Sequence, residues 1–311
     1  MSRSENRKQL SVHFRGVRGS TPAPGLHTAR YGGNTSCLEV RAGGEILILD
    51  AGTGIRALGT DLLTEFNSNP ISATLLISHT HWDHIQGLPF FMPAYSAAHH
   101  IRLIAPPGAR EKLVKALANQ MNPISFPISV EHLHGLSAVD EFGPSGATFG
   151  PFSVRPFPLN HPGGCAGFRI EAGGRSFAYL PDHEPFVSVI NPGANAAGHM
   201  RTNALADFLR DVDLLILDTQ YTAAEYPHRL GWGHGCLPDS VALAQRAEVK
   251  HLVLFHHDPA HTDFEIDSMV EAARELAPES LLVTAAQENE TVMPGVVRAR
   301  KLSLFSKAAL F

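Results

Sequence analysis

The sequence predicts an α/β fold: an αββα sandwich of two mixed β-sheets with helices on the outside. Two observations point there. Each half of the chain contributes short strands first and helices later, the order expected of two sheets packed face to face under outer helices. Several apolar strands also stop abruptly at a His or an Asp, as strands do when their ends line a common edge.

In the first half, "LSVHFRGV", "CLEVRA" and "EILILDAG" have the short, β-branched, apolar character of strands. A helix is expected over residues 54–66, then the strand "ATLLIS", then an amphipathic helix over residues 109–121. A turn-rich patch, "GPSGATFGPF", precedes the second half, whose strands are "FSVRPFPL", "AGFRIEA" and "RSFAYL". Strand and helix then alternate through "DLLILD", a helix over 238–248, "HLVLFH", a helix over 262–276 and "SLLVTA". In the 262–276 helix Ile266, Met269, Val270, Ala273 and Leu276 fall on one face, and Thr262 with Glu265 has capping-box spacing.

The chain has 311 residues, 44% of them hydrophobic, enough for a substantial core and against intrinsic disorder. No repeat or linker divides it, so a single domain over 1–311 is expected. The net charge of -5 supplies no global basic field for nucleic acid or anionic membrane. No run of about eighteen apolar residues predicts a membrane span, and the first residues lack a signal peptide's apolar stretch, so a cytoplasmic protein is expected. Cys37, Cys165 and Cys236 have no CxxC spacing and fit reduced, buried thiols. The compositional oddity is 18 histidines.

Four apolar runs end at chemistry-bearing residues: "TLLIS" at His79, "FAYLP" at Asp182, "DLLIL" at Asp218 and "HLVLF" at His256; a fifth, "RPFPLN", ends at His161. A lone His or Asp at a strand end is ordinarily a turn residue. The cluster "HTHWDH" is different, because burying His79, His81, Asp83 and His84 unpartnered costs several kcal/mol in the usual range of about 2–7 kcal/mol per polar group. His79 and His81 project from one side of an extended segment and can reach one ion; Asp83 and His84, past the turn, can serve a second.

His-x-His-x-Asp-His followed by a separate His, an Asp and a final His resembles the metallo-β-lactamase superfamily, whose fold is an αββα sandwich. The similarity extends over "GVRGSTP", "YGGNTS", "LILDAGTG", "LNHPGG", "YLPDHE", "LDTQYT", "GHG" and "LFHHDP". "GHG" leading into a helix and then "VKHLVLFH" is most similar to the phosphodiesterase branch, which includes ribonuclease Z and the phosphodiesterase of phosphonate catabolism. The resemblance implies two divalent metal ions per chain, with zinc expected first and manganese or iron compatible with the same donors. It implies His79, His81 and His161 on one ion, Asp83, His84 and His256 on the other, and Asp182 bridging. His256 is preferred to His257 because the apolar run ends there; His183 stays open. Asp218 stands where the ribonuclease Z pattern has Glu, and His234 at its non-ligand His. As a pair, the carboxylate would orient the imidazole to protonate a leaving alkoxide, while Asp83 would orient the attacking hydroxide.

The expected function is therefore hydrolysis of a small phosphodiester, such as a cyclic nucleotide or cyclic ribose phosphate. Structured RNA is not expected as a substrate, because only "PGGCAGFRIEAGGRSFAYLP" separates His161 from Asp182, leaving no room for a basic arm, and the protein is acidic. A tRNA 3'-processing nuclease ranks below that reading; a thioester, ester or lactam hydrolase on the same fold is the main alternative. The segment 184–210 is expected to be a lid over the metals or a contact with a partner subunit. The apolar end "RKLSLFSKAALF" is expected to dock on the domain or on a dimer mate. Ser20, Asn34 and Thr35 in glycine-rich segments are candidates for phosphate contact. Arg18 and Arg30 are either part of that contact or solvated surface.

Overall fold

The computed structural model describes residues 9–193 and 195–296. The terminal "RKLSLFSKAALF" and its expected docking lie outside them. Two seven-stranded sheets form the centre of the molecule. The first runs β14 (Thr291–Val292), β1 (Ser11–Gly16), β2 (Cys37–Ala42), β3 (Glu45–Leu49), β4 (Ser72–Leu76), β5 (His100–Ala105) and β6 (Asp140–Glu141). The second runs β13 (Leu282–Ala285), β12 (His251–Phe255), β11 (Leu214–Asp218), β10 (Arg175–Leu180), β9 (Cys165–Ala172), β8 (Phe152–Leu159) and β7 (Ala147–Phe149).

Both sheets combine an antiparallel part with a parallel part. Strands β1, β2 and β3 pair antiparallel, then β3 to β6 parallel; β7 to β10 pair antiparallel, then β10 to β13 parallel. Antiparallel neighbours need only a tight turn, whereas parallel neighbours need a long crossover, commonly a helix. That is why strands come first in each half and helices follow. The crossovers carry α1 (Ile55–Phe66), α2 (Trp82–Ile85), α3 (Arg110–Gln120), α4 (Ala196–Leu209), α5 (Leu237–Arg246) and α6 (Asp263–Leu276).

Three apolar layers separate these elements. Phe14, Val40, Leu47, Leu49, Phe177, Tyr179, Ile216 and Phe255 meet between the sheets. Ile46, Ile48, Leu58, Leu62, Leu113 and Leu117 join the first sheet to α1 and α3. Ala178, Leu180, Leu215, Leu217, Leu205, Val241 and Ile266 join the second sheet to α4, α5 and α6. Successive residues of β3, β10 and β11 thus fall into different layers, the period-two alternation of a strand buried on both faces. Such strands appear as unbroken apolar runs in the sequence. The αββα sandwich is as the sequence predicts.

The differences are local. Strand β5 is absent from the sequence reading, because "HIRLIA" interleaves His100 and Arg102, both exposed, with Ile101, Leu103 and Ile104 of the core. Strand β14 crosses back to pair with β1, Val292 opposite Val12, a long-range contact that no local pattern encodes. In α6 the Thr262 and Glu265 capping box forms, but Leu276 is 53% exposed rather than buried, since the helix is ending there. The 184–210 segment contains α4, capped by the Asn195 side chain accepting from the Gly198 N–H, with Leu205, Ala206 and Leu209 buried. All three cysteines are free thiols in the interior. No helix among the described residues is long and apolar enough to cross a membrane.

Candidate metal centre

Parallel strands place their carboxyl ends on one edge, and ligands bind outside such ends in open α/β sheets. His79, Asp182 and His256 lie just beyond the carboxyl ends of β4, β10 and β12, and Asp218 is the last residue of β11. His161 follows β8. His81 is the extended residue preceding α2, and Asp83 and His84 lie in that helix, so a sharp extended-to-helical change separates the two pairs.

These side chains converge into two sets able to hold a metal ion: His79, His81, His161 and Asp182, and Asp83, His84, Asp182 and His256. Asp182 belongs to both. Its Oδ2 lies 3.5 Å from Nε2 of His79 and 3.5 Å from Nε2 of His161. Its Oδ1 lies 3.0 Å from Nε2 of His84 and 3.4 Å from Nε2 of His256. Asp83 closes the second set, its Oδ2 3.3 Å from His84 Nε2 and 3.2 Å from His256 Nε2.

Whether these residues suit a cation is tested by their own hydrogen bonding. His79 Nε2, His84 Nε2 and Asp182 Oδ1 are buried and make no hydrogen bond among the described residues. Such orphans cost about 1–3 kcal/mol each, so three in one cluster need a partner that the protein does not supply. Imidazole and carboxylate donors fit a divalent transition metal ion. Protonation agrees for most of the cluster. Burial, reinforced by neighbouring imidazoles, holds the His79, His81 and His161 pKa values below the ordinary histidine value, so these rings are neutral and ligand-ready. Burial alone would raise the Asp182 and Asp83 pKa values. Imidazoles outweigh it (His256, His84 and His79 for Asp182; His84 and His256 for Asp83), and both carboxyls titrate well below the usual range. His84 is the exception: burial disfavours its charge, but Asp182, Asp83 and Asp50 together raise its pKa well above normal. A cation entering here displaces that proton.

Outer contacts fix each ring. His161 Nδ1 donates to the Gly233 carbonyl at 2.8 Å, His256 Nδ1 to Gln220 Oε1 at 3.1 Å, and His84 Nδ1 to Asp50 Oδ2 at 2.8 Å. Gly233 has φ +89, and a Cβ there would lie 2.4 Å from His161 Nδ1, so glycine is required twice over. His256 itself has φ 60, the left-handed region that non-glycine residues rarely enter, and this turns its ring into the cluster. His257 faces the other way, pairing with the Ala286 carbonyl at 2.9 Å.

Beside the second set, His234 Nδ1 lies 3.0 Å from Asp218 Oδ2, and its ring stacks on His256 at 4.9 Å. Burial would lower the His234 pKa, but the charge and hydrogen bond of Asp218 hold it up at about 9. Asp218, His234 and His256 also form a third group with metal-ligand spacing.

A model of the β-lactamase superfamily domain matches residues 46–257. The chain belongs to the metallo-β-lactamase superfamily. Its similarity runs to the phosphodiesterase branch: it is 24% identical to ribonuclease Z of Treponema denticola, over 88% of this chain and 95% of that protein. Among solved structures, a diphosphatase of the PhnP family superposes with a TM-score of 0.60 at 17% identity, covering 91% of this chain and 97% of that one. Human tRNase Z, short form, superposes with a TM-score of 0.60 at 19% identity, covering 92% of this chain and 100% of that one. The family match supports a hydrolase, and the solved structures show the metallo-β-lactamase fold.

They also correct one expectation. Structured RNA was set aside as a substrate, yet the similar proteins include ones named ribonuclease Z and tRNase Z. Net charge sums the whole surface and does not report the local field at a cleft, and a missing arm removes only one way of holding RNA.

Two further readings change within this metallo-β-lactamase fold. Arg18 is neither a surface residue nor a phosphate contact: it is fully buried and donates to the carbonyls of Gly32, Asp258 and His261. It ties the first loop to the one after β12. Thr35 and Asn34 are likewise occupied, with Thr53 and Glu288, while the Ser20 N–H donates to Asp83 Oδ2 at 2.8 Å and fixes that carboxylate. Arg30, by contrast, is surface-exposed and paired with Asp267. His183 is buried among protein groups, its Nδ1 accepting from the Asn160 N–H at 3.2 Å.

The functional residue that sequence reasoning passed over is Asp50. It is fully buried and accepts from the Ser78 N–H at 2.6 Å, Ser78 Oγ at 2.8 Å, His84 Nδ1 at 2.8 Å and Tyr179 OH at 2.9 Å. The signal was present in "LILDAGTG", where an Asp ends an apolar strand as Asp182 and Asp218 do. Outer carboxylates of this kind orient ligand imidazoles and raise their basicity. Asp50→Asn is expected to weaken zinc binding by about 10–100-fold, measured by calorimetric titration of chelator-stripped protein; unchanged affinity would deny Asp50 this role.

Proposed function

We propose that the protein is a dinuclear metal-dependent phosphodiesterase. The observation that carries this reading is the His234 and Asp218 pair, 3.0 Å apart and stacked against the edge of two metal-capable sets that share Asp182. Lactam and thioester hydrolysis need the sets but not the pair. In this reading His79, His81 and His161 hold one ion, Asp83, His84 and His256 the other, and Asp182 both, with zinc the first choice. When bound, the ions would neutralise the diester's charge and lower the pKa of water at the site.

The chain's own residues do the rest. Asp83, immobilised by the Ser20 N–H, accepts a hydrogen bond from the attacking water and directs it at phosphorus. Asp218 holds His234 by Nδ1, leaving Nε2 to donate a proton to the departing oxygen as its bond to phosphorus breaks. The Asp218 carboxylate is itself fixed by the backbone N–H groups of His183 at 3.0 Å and Gln220 at 3.1 Å, so the imidazole does not swing. Cyclic nucleotides and cyclic ribose phosphates are compact diesters suited to such a centre. RNA ends stand beside them because of the names the relatives carry.

The test is turnover by metal-loaded protein of a chromogenic phosphodiester beside the matching monoester, with cyclic nucleotides, a tRNA precursor and a thioester in the same panel. Diester hydrolysis that disappears with chelator and in Asp83→Ala is the expected result. Turnover of the thioester and of no phosphate, by protein carrying two ions, would overturn the proposal.

A further inference from the structure

Beside the two sets that share Asp182, a cavity of about 180 Å³ opens beneath the 185–189 segment, between α4 and α5. None of the residues proposed as metal ligands lines it; Leu217 and Asp218 of β11 and His183 do. We propose that this cavity is a second small-molecule site, which binds a small aromatic carboxylate.

Size and wall chemistry set the ring. A dry cavity of about 150 Å³ accommodates benzene, so this one takes a single aromatic ring with a substituent. Phe186, Leu217 and Leu243 supply apolar wall, and the Phe186 ring is already held between the His183 ring at 5.0 Å and the Arg201 guanidinium at 4.0 Å.

Unspent hydrogen-bonding capacity sets the charge. Both oxygens of each carboxylate in the wall already accept a hydrogen bond from the protein. Asp239 accepts from the Val189 N–H at 2.6 Å and Ser188 Oγ at 2.8 Å, while Asp218 accepts from the backbone of Gln220 and His183 and from His234. The donors are not all engaged. His183 Nδ1 accepts from Asn160, which puts the ring proton on Nε2, and that N–H has no acceptor among the described residues. Arg246, exposed at the rim, bonds only the Asn203 side chain among the described residues. A site with two donors free to bond a ligand, its carboxylate oxygens already engaged and a second arginine over its aromatic wall favours an anion with a flat apolar body.

The site stands or falls independently of the reaction proposed above, because its test reads binding. Benzoate is titrated into the metal-loaded full chain by calorimetry and saturation-transfer NMR, with phenol as the uncharged comparison. Saturable benzoate binding, weaker by about tenfold or more in R246Q and lost in L243W, which fills the cavity, is the expected result. Arg246 is on the surface, so R246Q retains the fold even if L243W does not. Three results overturn the proposal: no saturable binding, phenol binding as tightly as benzoate, or benzoate affinity unchanged in both variants, which would place it on the metal ions instead.

Discussion

Asp182→Ala is expected to lose both bound metal and activity. Asp182 is the one side chain common to the two metal-capable sets, presenting Oδ2 to His79 and His161 and Oδ1 to His84 and His256. Its removal leaves three imidazoles on one side, and on the other two imidazoles and Asp83. Metal content measured by plasma emission should fall from two per chain to one or fewer. Diester turnover should fall by about three orders of magnitude or more, since charge neutralisation at phosphorus is worth several kcal/mol and each ~1.36 kcal/mol is tenfold in rate. Stability gives a second readout. A ligand that binds only the folded state stabilises by about 2.7 kcal/mol at one hundred times its Kd, so added zinc should raise the melting temperature of the stripped wild type and do little for Asp182→Ala. A variant that retained two ions and their stabilisation would remove Asp182 from the bridging position.

His234→Ala is expected to behave differently: both ions retained, turnover lowered by about 10²–10⁴-fold, the range for loss of a positioned general acid. The loss should depend on the leaving group. A nitrophenolate departs without a proton, so a chromogenic diester should lose far less than one with an alkoxide leaving group. Asp218→Asn should show the same pattern in weaker form, because it disturbs the orientation of His234 while leaving the imidazole in place. Metal loss in His234→Ala equal to that in Asp182→Ala would instead make His234 a ligand, through its group with Asp218 and His256.

Much of this site was legible in the sequence because its residues sit at the ends of strands with unmistakable apolar character. His79, Asp182, Asp218 and His256 each terminate such a run, and a parallel sheet buried on both faces offers few other places for a polar side chain. His161 ends a fifth such run, and only the likeness to a family pattern singled out His234, which lies in a loop. Asp50 carries the same strand-end signal as the others, but within the strand "EILILDAG" nothing local sets it apart. Its significance depends on His84 and Tyr179, which lie 34 and 129 residues away in sequence. Arg18 misled for a related reason: a charged residue between glycines looks exposed, and only the loops from Gly32 and from Asp258 to His261 close over it.

By itself the sequence determined the layering of two sheets under outer helices, most of their strands and helices, and the strand-end residues His79, His161, Asp182, Asp218 and His256. These depend on local periodicity, capping and strand length, which act over a few residues. The tertiary structure alone decided how Asp182 divides its two oxygens, what holds Asp50, and that a cavity with unspent donors opens beside Asp218. Each of these depends on groups brought together from distant parts of the chain, where burial and hydrogen-bond satisfaction are settled by packing, and no local pattern of residues encodes that outcome.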